Sequence, residues 1–190
     1  MNRYFSTESI GETLFPAFKG ILGSPNDYFT AMPAARDYRH SFMLLCIFLS
    51  VPALVASLFS GVISIIFILP ISLMFGLIGT WFWAWYLGWA ARHFCASDLT
   101  TAGAFQICAY SSAPLVFSWI PVLGLLGWLW NLYLIWQGLV SQARLGAGPS
   151  LLIILGAFFV MMLSLFTLVA LLLYAGSQFG VEIPPAPTWF

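Results

Sequence analysis

Charge is what this chain has least of. Its 190 residues carry six Lys and Arg and six Asp and Glu, 6% in all, with a net charge of zero. An ordinary soluble domain carries about 25% charged residues. A composition so poor in charge and 62% hydrophobic excludes a soluble globule and predicts a protein embedded in a membrane. A zero balance removes the electrostatic case for nucleic acid. No Asp, Glu, Lys or Arg falls deep in any long apolar stretch, so the usual mark of an ion-coupled carrier or proton relay is missing. Cysteine is scarce too. Cys46, Cys95 and Cys108 show no CxxC spacing and read as small apolar or free-thiol residues, which argues against a disulfide framework or a metal site. There is no Ser–His–Asp set, carboxylate pair, phosphate loop or metal-spaced cluster. These absences exclude the common enzyme chemistries and leave no cofactor to expect.

What is present is long apolar sequence with basic residues distributed to one side. Arg3, Lys19, Arg36 and Arg39 precede the first apolar stretch, Arg92 follows the second, and Arg144 precedes the last. The sequence from Phe42 to Ala91 is nearly unbroken apolar. As one helix it would be roughly 75 Å long, against a bilayer core of about 30 Å. It must therefore fold back, and Ser60-Gly61 is the best turn. The expected fold class is all-α, a polytopic bundle of five transmembrane helices near 42–59, 62–91, 100–119, 121–140 and 151–175. Five crossings put every Lys and Arg on the cytoplasmic side, as membrane insertion prefers. Residues 1–40 form a cytoplasmic amphipathic segment, 41–175 the membrane domain, and 176–190 a short outer tail. No cleavable signal is visible, and the first apolar run is expected to be an uncleaved anchor. Leu14, Phe15, Phe18, Ile21 and Leu22 share one helix face. That face either lies on the inner leaflet or packs under the bundle. Pro70 is expected to kink the second span and Pro114 to interrupt the third.

Three groups of residues are candidates for function or assembly. Tyr110, Ser111, Ser112 and Pro114 in the third span join Asn131, Tyr133 and Gln137 in the fourth as an intramembrane polar site. Buried amides are costly unless partnered. These groups either bond helices together or line a polar path, and proline-broken spans mark binding sites in transporters. Ser72, Gly76, Thr80, Ala84 and Gly88 recur every fourth residue, a small-residue face for close helix packing within one chain or between copies. Arg36, Arg39 and Arg92 are candidate contacts to lipid or a protein partner on the cytoplasmic face. Trp81, Phe82, Trp83, Trp85, Tyr86 and Trp89 read as an interfacial aromatic belt, with the lining of a lipid groove as the alternative.

The run Ala109-Tyr110-Ser111-Ser112-Ala113-Pro114, then Trp119-Ile120-Pro121, Gly124, Trp130-Asn131-Leu132-Tyr133-Leu134 and Gly138-Leu139, resembles the bacterial branch of the Yip-one domain family. The lead-in Ser24-Pro25, Tyr28-Phe29, Met32-Pro33 and Tyr38-Arg39 is similar to that family as well. The resemblance implies a five-helix integral membrane protein with a cytosolic amino terminus. Eukaryotic members associate with prenylated Rab GTPases and act in vesicle traffic and membrane shaping. Their Asp-Leu-Tyr-Gly-Pro motif is absent here and the cytosolic segment is short, so no Rab partner is carried over. The expectation is a non-enzymatic inner-membrane scaffold, adaptor or bilayer-shaping protein. The alternative is a channel, small-solute transporter or lipid-moving protein using a path between the third and fourth spans. Membrane lipid, a protein on the cytoplasmic face and a second copy of the chain are the expected partners.

Overall fold

The computed structural model describes residues 10–33, 35, 38–59 and 62–178. Its elements are helices α1 (Ile10–Gly23), α2 (Pro25–Ala31), α3 (Arg39–Phe59), α4 (Val62–Cys95) and α5 (Thr101–Ser111), a 3₁₀ turn at Ala113–Phe117, and helices α6 (Pro121–Ser141) and α7 (Ala147–Gln178). Among the described residues the fold is all-α. Four segments are long and apolar enough to cross a bilayer: Arg39–Phe59, Leu69–Cys95, Pro121–Ser141 and Ala147–Ala175. The chain is a multi-pass membrane protein. The turn expected at Ser60-Gly61 and the tip of the outer tail lie outside the described residues.

The third apolar stretch departs from a simple span. It is an 11-residue α-helix followed by the 3₁₀ turn. Pro114 has no N–H to donate to the carbonyl one turn earlier, so the α-helix cannot continue through it. Thr100 starts α5 as its cap, its hydroxyl accepting from the Gly103 N–H at 3.0 Å. Every residue of α5 from Gly103 to Ser111 is buried. Helices α3, α4 and α6 all pack on it, so α5 is the centre of the bundle. A helix covered on every side needs no polar face, which is why its sequence shows no stripe.

After the short turn at Ser118–Ile120, α6 returns antiparallel to α5 and the 3₁₀ turn. Paired positions run from Gly138 against Ile107, through Asn131 against Ser111, to Gly127 against Pro114. At Gly127 the backbones meet so closely that an added Cβ would lie 2.7 Å from the Pro114 carbonyl oxygen. Helices α4 and α3 pass through Pro70 and Pro52 without a break in the helix.

Helices α1 and α2 pack against the bundle. Ala17, Ile21, Tyr28, Phe29 and Met32 form one core with Leu44, Phe48, Tyr110, Ala113 and Leu134. Phe18 reaches the rings of Phe48 (6.0 Å) and Phe117 (6.3 Å). Of the two sequence readings of α1, the packed one describes this arrangement. The docked face is rotated from the expected one, since Thr13 and Ala17 are buried while Phe15 is 71% exposed.

The described chain divides into two compact units after Ile154. The first seven elements and the start of α7, with Ser150, Ile153 and Ile154 buried, form the first unit. The second unit is the remainder of α7, where Phe159, Phe166 and Leu172 are exposed along an apolar helix.

Candidate functional site

At three places in the bundle, polar side chains bond one element to another. At the break in the third stretch, the Ser112 hydroxyl donates to the Ala109 carbonyl at 2.6 Å, and Asn131 Nδ2 donates to the Ser111 carbonyl at 2.7 Å. These bonds occupy carbonyls near the end of α5, the expected repair where a proline ends a helix at membrane depth. Ser111 Oγ is fully buried and, among the described residues, has no hydrogen-bond partner. The structure thus brings Tyr110, Ser111, Ser112, Pro114 and Asn131 together.

Gln137 belongs elsewhere. Its Nε2 donates to Asn26 Oδ1 at 2.8 Å and to Ser141 Oγ at 3.1 Å, and Ser141 Oγ also donates to Asn26 Oδ1 at 3.3 Å. This triad ties α2 to α6. Tyr133 faces outward, 39% exposed, between the rings of Trp130 and Trp136.

The third place is the end of the bundle that carries Arg92 and Arg144, where the α4–α5 and α6–α7 connections meet. They are joined by the Ser97 hydroxyl, which donates to the Ala143 carbonyl at 3.3 Å. Arg92 Nη1 donates to the Leu99 carbonyl at 2.9 Å and braces the first connection. Both α4 and α6 end by the same device. The Ser97 N–H reaches back to the Ala91 carbonyl and the Leu145 N–H to the Leu139 carbonyl, each at 3.3 Å. The residue before each donor is left-handed: Ala96 at φ 49° and Arg144 at φ 54°. Glycine is the usual residue at such a closure. An L-residue there costs about 1–2 kcal/mol.

Beside these connections runs an amide relay with a forced direction. Gln106 Nε2 donates to the Pro33 carbonyl at 3.3 Å, and Gln142 Nε2 donates to Gln106 Oε1 at 2.9 Å. A carbonyl can only accept, so Gln106 must present its NH₂ to Pro33 and its oxygen to Gln142. Gln142 must then turn its own oxygen away, and among the described residues that buried Oε1 has no hydrogen-bond partner. A cavity of about 520 Å³ opens here, lined in part by Cys95, Asp98, Thr100, Gly103, Gln142 and Arg144.

Residues 19–169, from the second half of α1 into α7, match the Yip1 domain. The chain belongs to the Yip1 domain family. No curated protein and no solved structure matches it. All three polar places of this Yip1 domain lie inside the matched residues, Asn26 and Pro33 included.

The remaining candidates are placed as follows. The small-residue face meets helices of its own chain: Gly76 lies against Leu49 of α3, Gly88 against Ala104 and Thr101 of α5, and Ala84 is fully buried. Thr80 turns its hydroxyl to the Gly76 carbonyl, and Ser72 is exposed. Arg39 is the first residue of α3. Arg36 lies outside the described residues. Trp81, Phe82, Trp85 and Trp89 are exposed along α4, and Trp89 stacks on His93 at 5.3 Å. Sequence reasoning missed Asn26, Gln106 and Gln142. A glutamine inside the apolar α5 was the available signal, but its partners lie 36 and 73 residues away.

Proposed function

We propose that this Yip1-domain protein is a non-enzymatic scaffold of a bacterial inner membrane, holding a partner or shaping the bilayer through its cytoplasmic face. In this reading the chain crosses five times, with α5 and its 3₁₀ turn as a broken third crossing. The amino terminus and the Arg92 and Arg144 connections are cytoplasmic, and the carboxyl terminus is periplasmic. The positive-inside distribution of all six basic residues supports that orientation.

One observation carries the scaffold reading. The amides that would line a path are engaged in bonds between elements: Asn131 to the end of α5 and Gln137 to α2. A static, interlocked interior suits a platform better than a conduit. The basic residues Arg36, Arg39 and Arg92 are the surface we assign to lipid or a protein partner. Reversing the charge of Arg36 and Arg39 should weaken partner capture or binding to anionic vesicles. Unchanged capture and lipid binding would remove that surface from the proposal.

A lipid-moving activity is the second reading. It is favoured by an apolar cleft of about 660 Å³ beside the broken segment, lined by Leu22, Pro114, Phe117, Leu123, Gly127 and Trp130 among others. Flux of ions and of a fluorescent lipid across proteoliposomes separates the two. Tight, inert vesicles support the scaffold. Flux above that of empty vesicles that falls when Asn131 and Gln137 become Leu supports the path.

A further inference from the structure

The cavity at the basic end has features that the scaffold reading does not use. Asp98 enters it from the α4–α5 connection and Arg144 from the α6–α7 connection. Both are exposed, and among the described residues neither is in an ion pair. Two opposite charges therefore line one cavity without neutralising each other. Its volume of about 520 Å³ is that of a small-molecule site, commonly about 300–1,000 Å³. Its frame is tied, through Ser97 to Ala143 and Arg92 to Leu99.

Arg144 is the telling residue. Its left-handed backbone is the place for glycine, and Gly146 stands only two residues on. A strained residue held at a cavity points from geometry to use. A guanidinium matches the oxygens of a phosphate two at a time. The cavity lies at the ends of α4 and α6, which in the proposed orientation meet the cytoplasmic leaflet, where lipid phosphates lie. Asp98, acceptor-only when ionised, wants a donor.

We propose that this cavity binds a phosphate ester bearing a primary amine, the phosphoethanolamine group. The phosphate lies on Arg144 and the ammonium on Asp98. The group arrives either as a lipid headgroup or as a free phosphoamine. As the lipid headgroup, a phosphodiester, the ligand is a zwitterion and pairs both side chains without adding net charge, whereas the free phosphomonoester brings further negative charge to Arg144. A choline group keeps its charge but lacks N–H donors, so it leaves Asp98 without a hydrogen bond and binds more weakly. A glycerol phosphate lacks the cation.

The test is ligand binding to the purified full-length protein in a neutral detergent, read as saturable displacement of the thermal unfolding midpoint. The probes are free phosphoethanolamine and short-chain phosphatidylethanolamine, phosphatidylcholine and phosphatidylglycerol. The wild type should respond to an ethanolamine-bearing probe and more weakly to choline or glycerol lipids. A response to the lipid alone identifies a membrane ligand, and a response to the free compound identifies a soluble one. Asp98→Asn should weaken binding by about tenfold or more. Arg144→Gly should do the same while unfolding no earlier than wild type without ligand, because glycine fits the backbone there. That separation excludes misfolding as the cause of lost binding. Equal responses to all three lipids, no response to any probe, or binding unchanged in both variants would overturn the proposal.

Discussion

Single residues here answer to backbone demands that their own chemistry does not advertise. Ala96 and Arg144 stand in a left-handed conformation and close two helices in the same way. Ala96 has no charge to justify its place, so Ala96→Gly should stabilise the protein by about 1 kcal/mol, seen as a higher unfolding midpoint in detergent. An unchanged or lower midpoint would mean the closure is not strained. Asn131 is a different case. Replacing it with Leu removes the donor to the Ser111 carbonyl and should cost about 1 kcal/mol, near the measured scale for hydrogen bonds between membrane helices. Gly127→Val should cost more, about 1–3 kcal/mol, because its Cβ would press on the Pro114 backbone. If the two variants unfold in the reverse order, the backbone contact matters less than the amide. Asn131 was visible in the sequence as a polar residue needing a partner. Its acceptor was not, because that carbonyl is set by the fold around Pro114.

Elements are decided by what covers them. The third apolar stretch is interrupted at Pro114, yet α5 is the most covered helix in the bundle. The proline and the small residues that weaken it as a free helix allow α3, α4 and α6 to close around it. The α1 helix shows the converse. Its apolar spacing was legible, but spacing alone left membrane surface and bundle equally open. The choice lies in Ala17 and Ile21, which fit against Phe48 and Ala113 in one core. Ile21→Asp should undock the helix, since a carboxylate cannot be buried in that apolar core without a partner. Trypsin should then cut after Lys19 much faster than in the wild type. A cleavage rate equal to wild type would show that α1 is not held by this face.

At the scale of the whole molecule, topology and interior can be tested together by thiol chemistry. Cys108 is buried in α5 and should stay silent to a membrane-impermeant thiol reagent. Cys95, half-buried beside the cavity at the basic end, should react when the reagent is on the cytoplasmic side and not from the other side. Ser112→Cys and Gln137→Cys should not react from either side if the interior is interlocked. Labelling at either would reopen the conduit reading. Labelling of Cys95 from outside would reverse the orientation.

Membrane residence, the all-helical class and the family pattern follow from composition, apolar run length and local motifs. These properties are additive along the chain, so a single sequence reveals them. The positions of Asn26, Gln106 and Gln142 against their partners are not of that kind. They depend on which helices pack side by side, and that is set by close approaches such as Gly127 on Pro114 and Gly138 on Ile107. The cavity between two connections, with Asp98 from one and Arg144 from the other, exists only once those helices have met. Residues 46 apart in sequence share a site because three-dimensional packing, not local pattern, brings Ser97 to the Ala143 carbonyl.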